Sequence, residues 1–117
     1  DAAVDAAAAR QLYDRTRRIL EDMDVHHLVF GHVGQGHLHA NVIPRSRRQL
    51  QAGEAAMGRI AALAAEMGGT VSAEHGLGRL KASFLELMLS PEELEGMRGI
   101  RRSFDPHGLL CPAVTWA

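Results

Sequence analysis

Two short segments hold most of the residues in this chain that can do chemistry. The first runs Gly31-His-Val-Gly-Gln-Gly-His-Leu-His-Ala-Asn41, the second Thr70-Val-Ser-Ala-Glu-His-Gly-Leu-Gly-Arg-Leu-Lys81. Together they carry four imidazoles, on His32, His37, His39 and His75, one carboxylate on Glu74, and a run of glycines. Closely spaced histidines with a distant Glu suit a catalytic divalent-metal site, in which three side chains hold the ion and a fourth position admits substrate. The glycines let backbone approach something flat or anionic.

Geometry narrows the choice. If residues 34–37 connect two strands of a hairpin, His32 lies opposite His39. Cross-strand neighbours stand about 5 Å apart, close enough to share one ion. Glu74 can add the third ligand from the end of another strand. The simpler account is that these are surface histidines or hydrogen-bonded core histidines. His26 and His27 fall at a strand entrance and His37 in the turn, so these three are set aside as ligands. At Glu74-His75, adjacent side chains diverge. One can bind metal while a neutral His75 faces substrate as general base. On spacing alone a plain loop pair, with Glu74 capping the next helix, accounts for them as well.

Gly76 and Gly78, with Gly31, Gly34 and Gly36, are what a cofactor cradle needs and equally what turns need. Neither run opens a helix after a parallel strand, so this is no dinucleotide fingerprint. Arg79 and Lys81 can meet a carboxylate, although most such charges are only solvated. Met57, Met67, Met88 and Met97 fall at helical positions and read as core.

The elements that position these residues follow from periodicity. Residues 2–23 read as an amphipathic helix stopped near Asp24. Strands are expected at 27–33 and 38–43, the second alternating Leu38, Ala40 and Val42 against His39, Asn41 and Ile43. Ser46 caps a helix to about residue 67, which Gly68-Gly69 ends. Residues 70–72 form a short strand, and helices follow at 79–88 and 91–103, the latter opened by Ser90-Pro91-Glu92-Glu93. The order α-β-β-α-β predicts an α+β fold. It is a ferredoxin-like antiparallel sheet with helices on one face, lacking its first strand and followed by C-terminal helices. In such a sheet the first strand is central, so its loss predicts unpaired edges and self-association, unless residues 70–72 close directly on residues 38–43.

Composition sets the outer bounds. The 117 residues suit a single domain. A net charge of -1 and few aromatics argue against nucleic acid or an anionic membrane as partner. No stretch is apolar enough to span a bilayer, and the opening does not read as a signal peptide. The one cysteine, Cys111, fits a reducing, cytoplasmic setting. The chain opens without Met, already in a helix-like pattern, and is expected to be a piece of something longer.

At this point the motifs resemble a known family, the C-terminal part of the FAD-linked oxidases of the vanillyl-alcohol oxidase superfamily. Its members include D-lactate dehydrogenase, D-2-hydroxyglutarate dehydrogenase and the flavin subunit of glycolate oxidase. Gly31 to Asn41 resembles G-H-x-G-D-G-N-L-H-x-N, and Ser72 to Lys81 resembles S-A/G-E-H-G-I/L-G-x-x-K. Asp105 to Pro112 resembles D-P-x-G-I/L-L/F-N-P. The three motifs occur in order and span nearly the whole chain.

The resemblance implies a zinc-type metal on His32, His39 and Glu74, with His75 as the base. It also implies substrate contacts from Asn41 and Lys81 and a flavin side that includes Gly76, Gly78 and Cys111. Ala73 leans toward the D-2-hydroxyglutarate type. Gln35 stands where Asp is usual, His37 where Asn is usual, and Cys111 where Asn is usual. The tail Ala113-Val-Thr-Trp-Ala117 lacks the usual Gly-Lys. These departures touch the flavin contacts and substrate identity and leave the ligand set intact.

The implied whole protein oxidises a D-2-hydroxy acid to a 2-oxo acid and passes electrons to an acceptor not named by the sequence. Its FAD is held mainly in a domain absent here, so the fragment alone is expected to be inactive. Two readings from other classes stand beside this one. The first is a metal-binding or structural module without redox activity. The second is a zinc-dependent hydrolase, although the helical H-E-x-x-H arrangement is missing.

Overall fold

A computed structural model describes residues 1–111. Pro112, which closes the third motif, and the tail Ala113–Ala117 lie outside the described residues. The chain divides into two compact units, Asp1–His75 and Gly76–Ala117.

The first unit is an α+β layer. Strand β1 is Ala2–Ala3, and a 3₁₀ turn at Ala6–Ala8 leads into helix α1, Ala9–Asp22. Strand β2, His27–His32, and strand β3, His37–Val42, are joined by a 3₁₀ turn at Val33–Gln35, and helix α2 follows at Arg47–Glu66. The sheet is antiparallel with order β1-β3-β2. On the other side of β1, Ala3 bridges Thr70 through a reciprocal pair of backbone hydrogen bonds of 2.9 and 2.7 Å. The strand expected to be missing is therefore present as a two-residue stub, lying between β3 and the isolated bridge to Thr70. Residues 70–72 do not close on β3, because β1 stands between them.

The Ala-rich start is not helical as far back as residue 2. Helix propensity favours Ala throughout, yet the carboxylate of Asp5 accepts the N–H of Ala7 at 2.8 Å and starts the helical segment there. Upstream, the backbone of Ala3 is taken by Thr70, and tertiary pairing overrides propensity. Leu12, Thr16 and Leu20 recur every four residues, so they share one face, and all three are buried. Asp24 ends the helix in the left-handed region at φ 51°, a conformation Asp tolerates better than most residues.

Ser46 caps α2 by accepting the N–H of Gln49 at 3.2 Å. The core joins Leu20 and Val25 to Ala56 and Ile60, with Val29, Ala40 and Val42 packed from the sheet. The helices thus cover the face of β3 that carries Ala40 and Val42. The other face carries His37, His39 and Asn41.

The hairpin turn depends on Gly36. Its φ is +67°, and a Cβ there would stand 2.0 Å from the carbonyl oxygen of Val4. Gly36→Ala is therefore expected to destabilise the protein by about 2 kcal/mol or more, combining left-handed strain with a backbone clash. Denaturant unfolding measures it, and wild-type stability would contradict this account of the turn.

The second unit holds a 3₁₀ segment, Ala82–Leu87, where an α-helix was expected, and helix α3, Pro91–Phe104. Ser90 and Glu93 form a reciprocal capping box at its start, with Pro91 in the first turn. Of the four methionines read as core, Met57 packs against the core cluster, and all four are only half-buried. Among the described residues no helix is long and apolar enough to cross a membrane.

Candidate metal centre

The hairpin places three imidazoles together, with a register that differs from the expected one. His32 pairs with His37, and Phe30 pairs with His39. The cause is the turn. Val33–Gln35 coil as a 3₁₀ turn and Gly36 reverses the chain, so pairing resumes at residue 37 rather than 39. The slip is two residues. Side chains alternate with period two, so His32 and His39 still face the same side. Their ring centres are 5.7 Å apart.

His37, set aside on sequence as a turn residue, opens β3 instead. Its ring lies 4.5 Å from that of His39 and 5.4 Å from that of His32. Glu74 reaches in from the segment after Thr70. Its Oε1 is 3.2 Å from His39 Nε2 and 3.8 Å from His32 Nε2. His32, His37, His39 and Glu74 each offer one ligand atom, and these atoms lie within 4.8 Å of one another.

His75 does not diverge from Glu74 as adjacency suggested. Its ring stacks on that of His39 at 4.8 Å, and its Nε2 is 3.5 Å from Glu74 Oε1. The segment is held by Asp1, which sequence reasoning missed. One carboxylate oxygen of Asp1 accepts the backbone N–H of Glu74 at 3.0 Å and of His75 at 2.9 Å. It also lies 3.5 Å from His75 Nδ1. No local pattern signals this, because the contact joins residues more than seventy positions apart.

The cluster has a buried wall and an open rim. His37 and His39 are buried, while His32, Glu74 and His75 are exposed. Burial pushes the pKa of both His37 and His39 below the ordinary imidazole value, and neighbouring imidazoles add to the effect against the pull of Glu74. The shift favours the neutral ring in both, the form that ligates metal. Among the described residues, His37 Nε2 and His39 Nδ1 are buried without a hydrogen-bond partner. An unsatisfied buried polar atom costs about 1–3 kcal/mol. Imidazole nitrogens and a carboxylate are the donors Zn²⁺ takes, so the residues present fit a divalent transition metal.

The remaining candidates are placed as follows. Asn41 is exposed on β3, on the face that carries His39. Gly76, Gly78, Lys81 and Cys111 belong to the second unit. Gly76 and Gly78 have φ of +68° and +54°, with nothing within 4 Å of an added Cβ, so their backbone is open to approach by a flat group. Cys111 is exposed, at φ 45°.

Comparison with known proteins adds a family to this geometry. The family model for FAD linked oxidases, C-terminal domain, matches residues 1–114. The chain is 32% identical over 119 residues to glycolate oxidase subunit GlcD of Bacillus subtilis (strain 168), covering 100% of the chain and 25% of that relative. It is 36% identical over 118 residues to D-2-hydroxyglutarate dehydrogenase of Xanthomonas citri pv. viticola, covering 96% and 25%. It is 33% identical over 112 residues to D-lactate dehydrogenase of Archaeoglobus fulgidus, again covering 96% and 25%. The chain thus spans about a quarter of the length of these curated relatives. With the match running through both units and all three motifs, the chain belongs to the family of FAD linked oxidases, C-terminal domain.

Proposed function

We propose that residues 1–117 are the metal-bearing, substrate-side domain of a longer flavoprotein that oxidises a D-2-hydroxy acid to the 2-oxo acid. The observation that carries this reading is the meeting of His32, His39 and Glu74, with His37, each offering a ligand atom within 4.8 Å of the others, in a chain of this family. The relatives named for glycolate, D-2-hydroxyglutarate and D-lactate support the substrate class.

In this reading His32, His39 and Glu74 hold a divalent ion, of which Zn²⁺ fits the donors best. When bound, such an ion acts as a Lewis acid toward the hydroxyl and carboxylate of a 2-hydroxy acid. FAD, held mainly outside this chain, supplies the hydride acceptor. His75 takes the hydroxyl proton. Its exposed ring is stacked on His39 and steered by Asp1 and Glu74, so it is pre-positioned at the open rim. Asn41 is assigned to the substrate by its place on the histidine face of β3, and by motif position alone Lys81 is assigned to the substrate and Gly76, Gly78 and Cys111 to the flavin. The reduced flavin would need an electron acceptor outside this chain. A cytoplasmic location agrees with the single cysteine.

The test is anaerobic mixing of the full-length protein with glycolate, D-lactate and D-2-hydroxyglutarate. Flavin absorbance is expected to bleach with at least one of them. A full-length protein that binds metal but carries no flavin would leave only a metal-binding module.

For the isolated chain we propose self-association. Ala2 and Ala3 pair with Leu38 and His37, so His39 to Val42 have no strand on that side among the described residues. Unpaired edges recruit other chains. Light scattering over a concentration series is expected to show mass rising with concentration, and a monomer throughout would remove the proposal.

A further inference from the structure

We infer that His37 is a fourth protein ligand of the metal in the substrate-free site, occupying the position that substrate takes when it binds and making the donor set three imidazoles and one carboxylate. The inference rests on the metal-site reading above and adds to it a residue that the resembled motif does not supply, since Asn is usual there.

Three observations converge on His37. The residue is only 5% exposed, and its Nε2 is buried with no hydrogen-bond partner among the described residues. The nearest carboxylate oxygen, Asp1 Oδ2, is 3.8 Å away, too far for a hydrogen bond. That oxygen already accepts two backbone N–H groups, from Glu74 and His75. One ring nitrogen of this buried, incompletely satisfied His37 lies within 4.8 Å of ligand atoms on His32, His39 and Glu74.

The backbone also holds His37 in place. It pairs directly with His32 across the hairpin and with Ala3 on the other side. At Gly31 the strands pass so close that an added Cβ would stand 2.2 Å from the carbonyl oxygen of His37. A ligand on a doubly paired strand has little freedom to leave the cluster. Its chemistry matters as well. A third imidazole shifts the set away from the all-oxygen ligation that Mg²⁺ and Ca²⁺ favour and toward Zn²⁺ or Co²⁺.

The experiment uses full-length protein stripped with chelator and reloaded with Zn²⁺. Zinc-edge X-ray absorption counts the bound imidazoles, and chelator competition gives the affinity. Wild type is expected to show three imidazoles. His37→Asn should show two and bind Zn²⁺ at least ~10-fold more weakly. His75→Ala should keep three, which assigns the third ring to His37 even if the Asn variant fails to fold. Two imidazoles in wild type, or unchanged affinity in a folded His37→Asn variant, would overturn the inference. If His39→Ala still loses zinc in that case, the site reading survives without His37. If His39→Ala also binds normally, both fall together.

Discussion

His39→Ala in the full-length protein is expected to lower bound zinc or a similar ion far below one equivalent and to abolish turnover with it. His39 is buried, stacked against His75 and 3.2 Å from Glu74, so its removal takes a ligand from the centre of the cluster rather than from its rim. Loss of an outer partner to a metal ligand commonly costs about 10–100-fold in affinity, and loss of the ligand itself should exceed that. Elemental analysis of protein purified without chelators or metal-affinity tags provides the measurement. Full occupancy in the combined His32→Ala, His39→Ala, Glu74→Ala variant would sink the assignment. The purification should stay near neutral pH, because ligating imidazoles must be unprotonated and acid releases the metal.

The second large effect belongs to His75. His75→Ala should reduce turnover about 10²–10⁴-fold, the usual range for a general base. Metal content should change little, because His75 stands at the exposed rim beside Glu74 while His37 and His39 form the buried wall. The contrast between the two variants is the useful readout. His39→Ala loses metal and turnover together, whereas His75→Ala loses turnover alone. Near-normal turnover of the His75 variant with metal intact would remove His75 as the base. Parallel loss of metal and turnover would make it a ligand instead.

Much of the site and several element ends were legible in the sequence because they depend on local chemistry. Ser46 and Ser90 cap helices through a hydroxyl that reaches N–H groups three residues on, a contact that spacing alone predicts. Asp24 stops α1 by its own backbone conformation. The period of a strand places His32, His39 and Asn41 on one face whatever the register, provided any slip is even. That is why His32 and His39 still face the same side in a hairpin that pairs two residues away from the expected register.

Tertiary structure decided what local chemistry cannot specify. The 3₁₀ turn at Val33–Gln35 and the approach of Gly36 to Val4 set the register, and with it the entry of His37 into the cluster. Ala2 and Ala3 form a strand stub although Ala favours helix, because β3 pairs with both and Thr70 bridges Ala3 on the other side. Asp1 anchors Glu74 and His75 across more than seventy residues, a contact with no trace in spacing or periodicity. The residue types determined which atoms could ligate a metal. Long-range backbone pairing decided which of them meet.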